Sequence, residues 1–104
     1  MQYDIYVNPS PATREIYPYV IDVQSDLLSN FKTRLVIPLR LHESDLDDLP
    51  NRMSPVFTIK NTKVFLVPFL AAAIHKKNLK KSVVNLRSQA HEITSAIDSV
   101  ISGV

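Results

Sequence analysis

The sequence predicts a mainly β domain shut by one C-terminal helix. Two observations carry this. Short alternating or continuous apolar runs, punctuated by proline, asparagine and serine, fill the first eighty or so residues. The last nineteen residues instead place Leu86, Ala90, Ile93, Ile97 and Val100 at steps of four, three, four and three, on one face of a 3.6-residue helix. Arg87, His91, Glu92, Ser95 and Asp98 fall mostly elsewhere. Gly103, the only glycine, follows the run as a left-handed helix terminator. A chain of 104 residues forms one domain, read here as a barrel over about 1–82 and a helix over about 86–101.

Tyr3, Ile5 and Val7 alternate with Gln2, Asp4 and Tyr6, the period of a half-buried strand. Asn8-Pro9-Ser10-Pro11 ends it, because closely spaced prolines cannot stay in a ladder. Residues 17–24, rich in tyrosine and β-branched side chains, predict a second strand, with Pro18 marking an edge or an opening. Residues 25–30 read as a loop or short turn carrying two adjacent apolar residues, Leu27 and Leu28. The unbroken apolar run 34–39 predicts a central strand covered on both faces. Residues 42–49, with Glu43, Asp45, Asp47 and Asp48, read as an exposed acidic loop.

Residues 55–59 and 63–67 predict a hairpin across Lys60-Asn61-Thr62, with Asn61 suited to positive φ. Residues 69–74 read as a sixth strand, although three consecutive alanines also suit a helix. Lys76, Lys77, Lys80 and Lys81 form a basic connector, and the helix begins between Asn85 and Arg87. The pattern adds up to five or six mostly antiparallel strands in a small, strongly curved sheet or partly open barrel.

Composition excludes several functions. A formal charge of +2 does not mark a nucleic-acid binder. With no cysteine, neither disulfides nor a thiolate metal site can form. One glycine cannot build a phosphate-cradling or dinucleotide-binding loop. The longest apolar run, 64–74, is about half a membrane span and holds Pro68, and no secretory signal is visible, so a soluble cytoplasmic protein is expected. His42, His75 and His91 lie far apart, and His42-Glu43-Ser44-Asp45 reads better as acidic loop than as metal site. Asp22 is expected on the wet face of its strand or held by a backbone N–H. No cofactor is implied.

The stretches Asp22-Val23-Gln24-Ser25-Asp26-Leu27-Leu28 and Arg34-Leu35-Val36-Ile37-Pro38-Leu39, with the opening Met1-Gln2-Tyr3 and the closing helix, resemble the CcdB-type toxins. The resemblance is dense over about the first forty residues, fair in the helix and thin between. It implies an SH3-like antiparallel barrel with a C-terminal helix, shared with the MazF-type toxins, in a homodimer in the bacterial cytoplasm. It also implies a toxin of a toxin–antitoxin module that traps cleaved DNA on the A subunit of DNA gyrase. A cognate antitoxin with a disordered C-terminal arm neutralises it, and no direct nucleic-acid or membrane contact is expected.

Carried across position by position, the gyrase-binding residues are Leu27, Leu28, Asp98, Ile101, Ser102, Gly103 and Val104. Where the family usually has tryptophan this chain has Ser102, which can neither stack on an arginine nor bury a large apolar area. The leucine pair and the helix tail are expected to form one apolar patch across a dimer axis. Burial in the core is an alternative fate for Leu28 and Ile101. The other functional reading is a MazF-like, metal-independent endoribonuclease, for which Arg14, Glu15, Arg34 and His42 supply the cation and acid–base groups.

Overall fold

The computed structural model describes residues 1–43 and 53–102. Among them seven strands form one sheet in the order β4-β5-β3-β2-β1-β7, with β6 also on β3. The strands are β1 (Asp4–Val7), β2 (Tyr19–Asp22), β3 (Thr33–Leu41), β4 (Val56–Ile59), β5 (Thr62–Leu66), β6 (Ala72–His75) and β7 (Val84–Asn85). Every pairing is antiparallel, and the sheet curls into a nearly closed barrel capped by α1 (Ala90–Ser102). The mainly β class and the single C-terminal helix are as expected. The acidic loop falls largely in 44–52, outside the described residues, as do Gly103 and Val104.

β3 is the central strand, and its proline explains how it changes partners. Its first half pairs with β6 (Val36↔Ala72) and its end with β5 (Leu39↔Leu66), while β2 runs along its other side. Pro38 sits at the changeover. Its carbonyl accepts from the Val67 N–H at 3.2 Å, so its missing N–H faces the gap between β6 and β5 and breaks no ladder bond. The expectation that 34–39 is covered on both faces needs correction, because Leu35 is exposed beside Ala73 at the start of the strand.

The main core lies between the sheet and α1: Ile5, Ile21, Ile37, Leu39, Phe57, Ile59, Val64 and Leu66 meet Leu86, Ile93 and Ala96. Val7 was expected inside with Tyr3 and Ile5. It is exposed: the β1–β7 pairing reaches only to Ile5, and Val7 lines an open groove beyond it. The hairpin is as read: Ile59 pairs with Thr62 across a two-residue loop in which Lys60 (φ 47°) and Asn61 (φ 67°) both take positive φ.

Residues 69–74 divide into a 3-10 turn, Pro68–Leu70, and β6. Pro68 pre-sets the φ of the turn, and pairing with β3 then overrides the helix preference of the alanines. β7, only two residues long, has no readable period and was not anticipated. The helix starts later than expected, because Arg87–Gln89 forms a 3-10 turn whose first N–H is capped by Asn85 Oδ1 at 2.8 Å. Its buried stripe runs through Ile93, Ala96 and Ser99, with Ala90, Ile97 and Val100 at the margins. Since Ile93 is fully buried between helix and sheet, Ile93→Ala should cost about 2–5 kcal/mol in urea unfolding without changing the far-ultraviolet dichroism of the folded state.

Candidate functional site

Asp22 has the expected parity but an unexpected environment. Ile21 points into the main core and Asp22 to the opposite face, yet Asp22 is completely buried. Val36 is its partner on β3, so Arg34, two residues before Val36, shares that face. The Arg34 Nε donates to Asp22 Oδ2 at 2.8 Å, and the guanidinium also donates to the Gln24 carbonyl at 3.3 Å. Gln24 N–H donates to Asp22 Oδ1 at 3.0 Å, which is the backbone bond the sequence suggested. A cavity of about 220 Å³, lined also by Tyr6, Lys76 and Leu79, lies beside the pair. Burial, followed by the carboxylates of Asp4 and Asp22, pushes the Tyr6 phenol above its ordinary value.

This network holds the 3-10 turn Asp26–Leu28 from behind. Ser25 Oγ accepts from Leu27 N–H at 3.2 Å, an N-cap of the usual kind. Asp26 accepts from the Gln2 N–H at 3.0 Å and pairs with Arg87 at 3.5 Å. The bond from Gln2 lowers the Asp26 carboxyl below its ordinary range, with the charges of Arg87 and Arg34 adding to it. On this anchored backbone Leu27 is 94% exposed and Leu28 is 42% exposed, so neither is a core residue.

At the far end of α1, Ile101 is 79% exposed, and Asp98 and Ser102 are also exposed. Burial is therefore not the fate of Leu28 or Ile101. Ser102 Oγ donates to the Asp98 carbonyl at 2.6 Å, which turns the serine back along its own helix. The Arg87–Asp26 pair ties the leucine turn to the entry of α1. Asp98, Ile101 and Ser102 lie at its exit, and 13 residues at ~1.5 Å rise span about 20 Å. Within one chain the two groups are thus mounted at opposite ends of the helix. One chain alone does not join them into the single patch expected from the sequence.

The ribonuclease set does not gather around Arg34: the Leu41 N–H donates to the Ile16 carbonyl at 2.8 Å, which brings His42 toward Glu15 and away from Arg34. Arg34 is buried and already neutralised by Asp22. His42 stands eight residues further along the chain, past the end of β3, with its ring edge-on to Phe65 at 6.0 Å. At ~3.3 Å per residue that is roughly 25 Å of strand path from Arg34. Arg14 donates to the Asn8 carbonyl at 2.8 Å, and Glu15 is exposed beside it. Among the described residues no group of three or more His, Asp or Glu could hold a metal.

One feature was not legible in the sequence: an open groove of about 570 Å³ between the loop after β1 and β6. Val7, Pro9 and Ile74 form its apolar lining, and Arg14 and Lys80 stand at its rim. Buried Asn8 shapes the loop, because its side chain donates to Tyr17 O (2.8 Å) and Thr13 Oγ1 (3.0 Å) and accepts from Ser10 N–H (3.0 Å). A conspicuous Asn-Pro-Ser-Pro string was the only signal, and it indicated a turn without the strand it would face.

A nearly closed antiparallel barrel shut by one C-terminal helix is the architecture of the barrel toxins of toxin–antitoxin modules. The family model for the CcdB protein matches residues 2–103, nearly the whole chain. The protein belongs to the CcdB family, a family of toxins from toxin–antitoxin modules. No curated protein matches it, and no helix among the described residues is long and apolar enough to cross a membrane.

Two outcomes test the polar network. Arg34→Met leaves the buried Asp22 carboxylate with only the Met1 ammonium, at 3.7 Å, and should cost about 3 kcal/mol in urea unfolding, with Asp22→Asn in the same chain recovering part of it. Asp26 has a depressed carboxyl, so its stabilisation is complete above the unfolded value of ~3.9 and is lost as pH falls through the lower folded value. Wild-type and Asp26→Asn urea midpoints should therefore differ at pH 6 and converge toward pH 2. A gap that does not change with pH contradicts this assignment.

Proposed function

We propose that this protein is a gyrase poison: as a homodimer it binds the A subunit of DNA gyrase and holds the enzyme on cleaved DNA, until a cognate antitoxin removes it. The observation that carries the proposal is the exposure of Leu27 and Ile101, both on anchored backbone, at the positions where the family resemblance puts target contacts. Large apolar side chains presented on a held turn and at a helix end are costly for an isolated monomer and useful for a partner. Leu28, Asp98, Ser102, Gly103 and Val104 complete the proposed contact set. Ser102 bonds its own helix and lacks the area of a tryptophan, so the apolar share of binding falls to Leu27, Leu28, Ile101 and Val104.

A homodimer is supported by the exposed apolar face where Leu35 lies beside Ala73, with exposed Phe69 and Leu70 just ahead of β6. The groove suits the extended arm of an antitoxin, because its apolar lining and two rim cations complement a chain of mixed acidic and apolar residues. Among the described residues β6 pairs with β3 alone, so its other edge suits an added strand.

Supercoiled plasmid incubated with the protein and gyrase should yield linear, protein-linked DNA, and none when gyrase is omitted. Deleting residues 102–104 should abolish that product and the toxicity of expression while leaving the thermal midpoint within a few degrees of wild type. Full poisoning by the truncated chain sinks the proposal. Cleavage of single-stranded RNA by the protein alone, without metal, establishes the ribonuclease reading in its place.

A further inference from the structure

We infer that Gln24 is a positioning residue for the leucine pair: its side-chain amide fastens the exit of the Asp26–Leu28 turn to the central strand. The inference rests on Leu27 and Leu28 being target contacts. Leu27 is almost wholly exposed, so packing of its own side chain cannot hold the turn in place. Three of the turn's bonds are internal: Leu27 N–H to Ser25 Oγ, Leu28 N–H to Ser25 O, and Ser29 N–H to Asp26 O. They shape the turn without attaching it to the sheet.

Gln24 makes the attachment. Its Nε2 donates to the Leu28 carbonyl at 3.0 Å, and its Oε1 accepts from the Leu35 N–H of β3 at 2.9 Å. The amide orientation is unambiguous, because a carbonyl requires the NH₂ end and an N–H requires the oxygen. The backbone of Gln24 is equally occupied, its N–H by Asp22 and its carbonyl by Arg34. The residue is 9% exposed, so water competes little for these bonds. Asp26, bonded to Gln2 and Arg87, secures the other end. Held at both ends, the turn offers its leucines in a fixed pose, and the partner need not pay to order them.

Gln24→Glu separates the two bonds, since a carboxylate still accepts from Leu35 N–H but cannot donate to Leu28 O. Amide hydrogen exchange should accelerate about ten-fold or more at Leu28, Ser29 and Phe31, with Ile21 and Ile37 unchanged as a control for folding. Affinity for purified gyrase A subunit should fall about ten-fold. Turn amides that exchange in Gln24→Glu as in wild type overturn the inference, and so does a loosened turn with wild-type affinity. Wild-type amides of Leu28 and Ser29 exchanging at the unprotected rate also overturn it, whatever the variant does. Leu27→Ala is the separating arm: undiminished affinity there refutes the leucine pair as a contact and leaves the exchange data as the test of the clasp.

Discussion

The buried pair of Asp22 and Arg34 is the constraint from which most of this architecture follows. An aspartate with no exposed surface and an arginine at 6% coexist in a small barrel because each answers the other, with the Met1 ammonium 3.7 Å from Asp22 and Asp26 3.9 Å from Arg34 adding to the balance. The register that sets Ile21 against Ile37 in the main core also sets Asp22 against Val36, and so brings Arg34 within 2.8 Å. Slipping β2 against β3 by one residue would expose the isoleucines and strand both charges. Apolar and polar demands therefore select the same pairing, on opposite faces of the same two strands.

The same pair organises what the molecule displays. Gln24 and Asp26 are neighbours of Asp22 in sequence and of Arg34 in space, so the turn that carries Leu27 begins where the buried network ends. Arg87 extends the connection to the entry of α1, and Asn85 reaches Gln2 O and Asp4 Oδ1 while capping Arg87. The helix carries Ile101 about 16 Å beyond its first residue, held by Ile93 and Ala96 against the core. Leu27 and Ile101 each stand on backbone tied to buried groups, which suits a surface that binds without rearranging.

Helix and hairpin were legible because their signals are local. The 3.6-residue period of Ile93, Ile97 and Val100 and the αL tolerance of Asn61 need no knowledge of the rest of the chain. The leucine pair was legible as an anomaly, two apolar residues in a polar connection. Its tie to the helix entry was not, since Asp26 and Arg87 are 61 residues apart. Arg34 looked like a free cation for phosphate chemistry, because nothing in a one-dimensional pattern shows that Asp22, twelve residues earlier, already holds it. The groove escaped for a similar reason, because Arg14 and Lys80 share a rim only after β6 has folded onto β3.

By itself, the sequence determined the class of the fold, the approximate strands, the helix and its apolar stripe, all through periodicities that act within about ten residues. Tertiary structure alone decided that the Asp22 face of β2 would be sealed as well as the Ile21 face, that Leu35 would stay exposed and Ala96 would be buried, and that Leu27 and Ile101 would sit at opposite ends of one helix. Those outcomes depend on which strands meet and at what register. Long-range pairing sets that register by burying several side chains at once, and no single side chain carries enough energy to announce it.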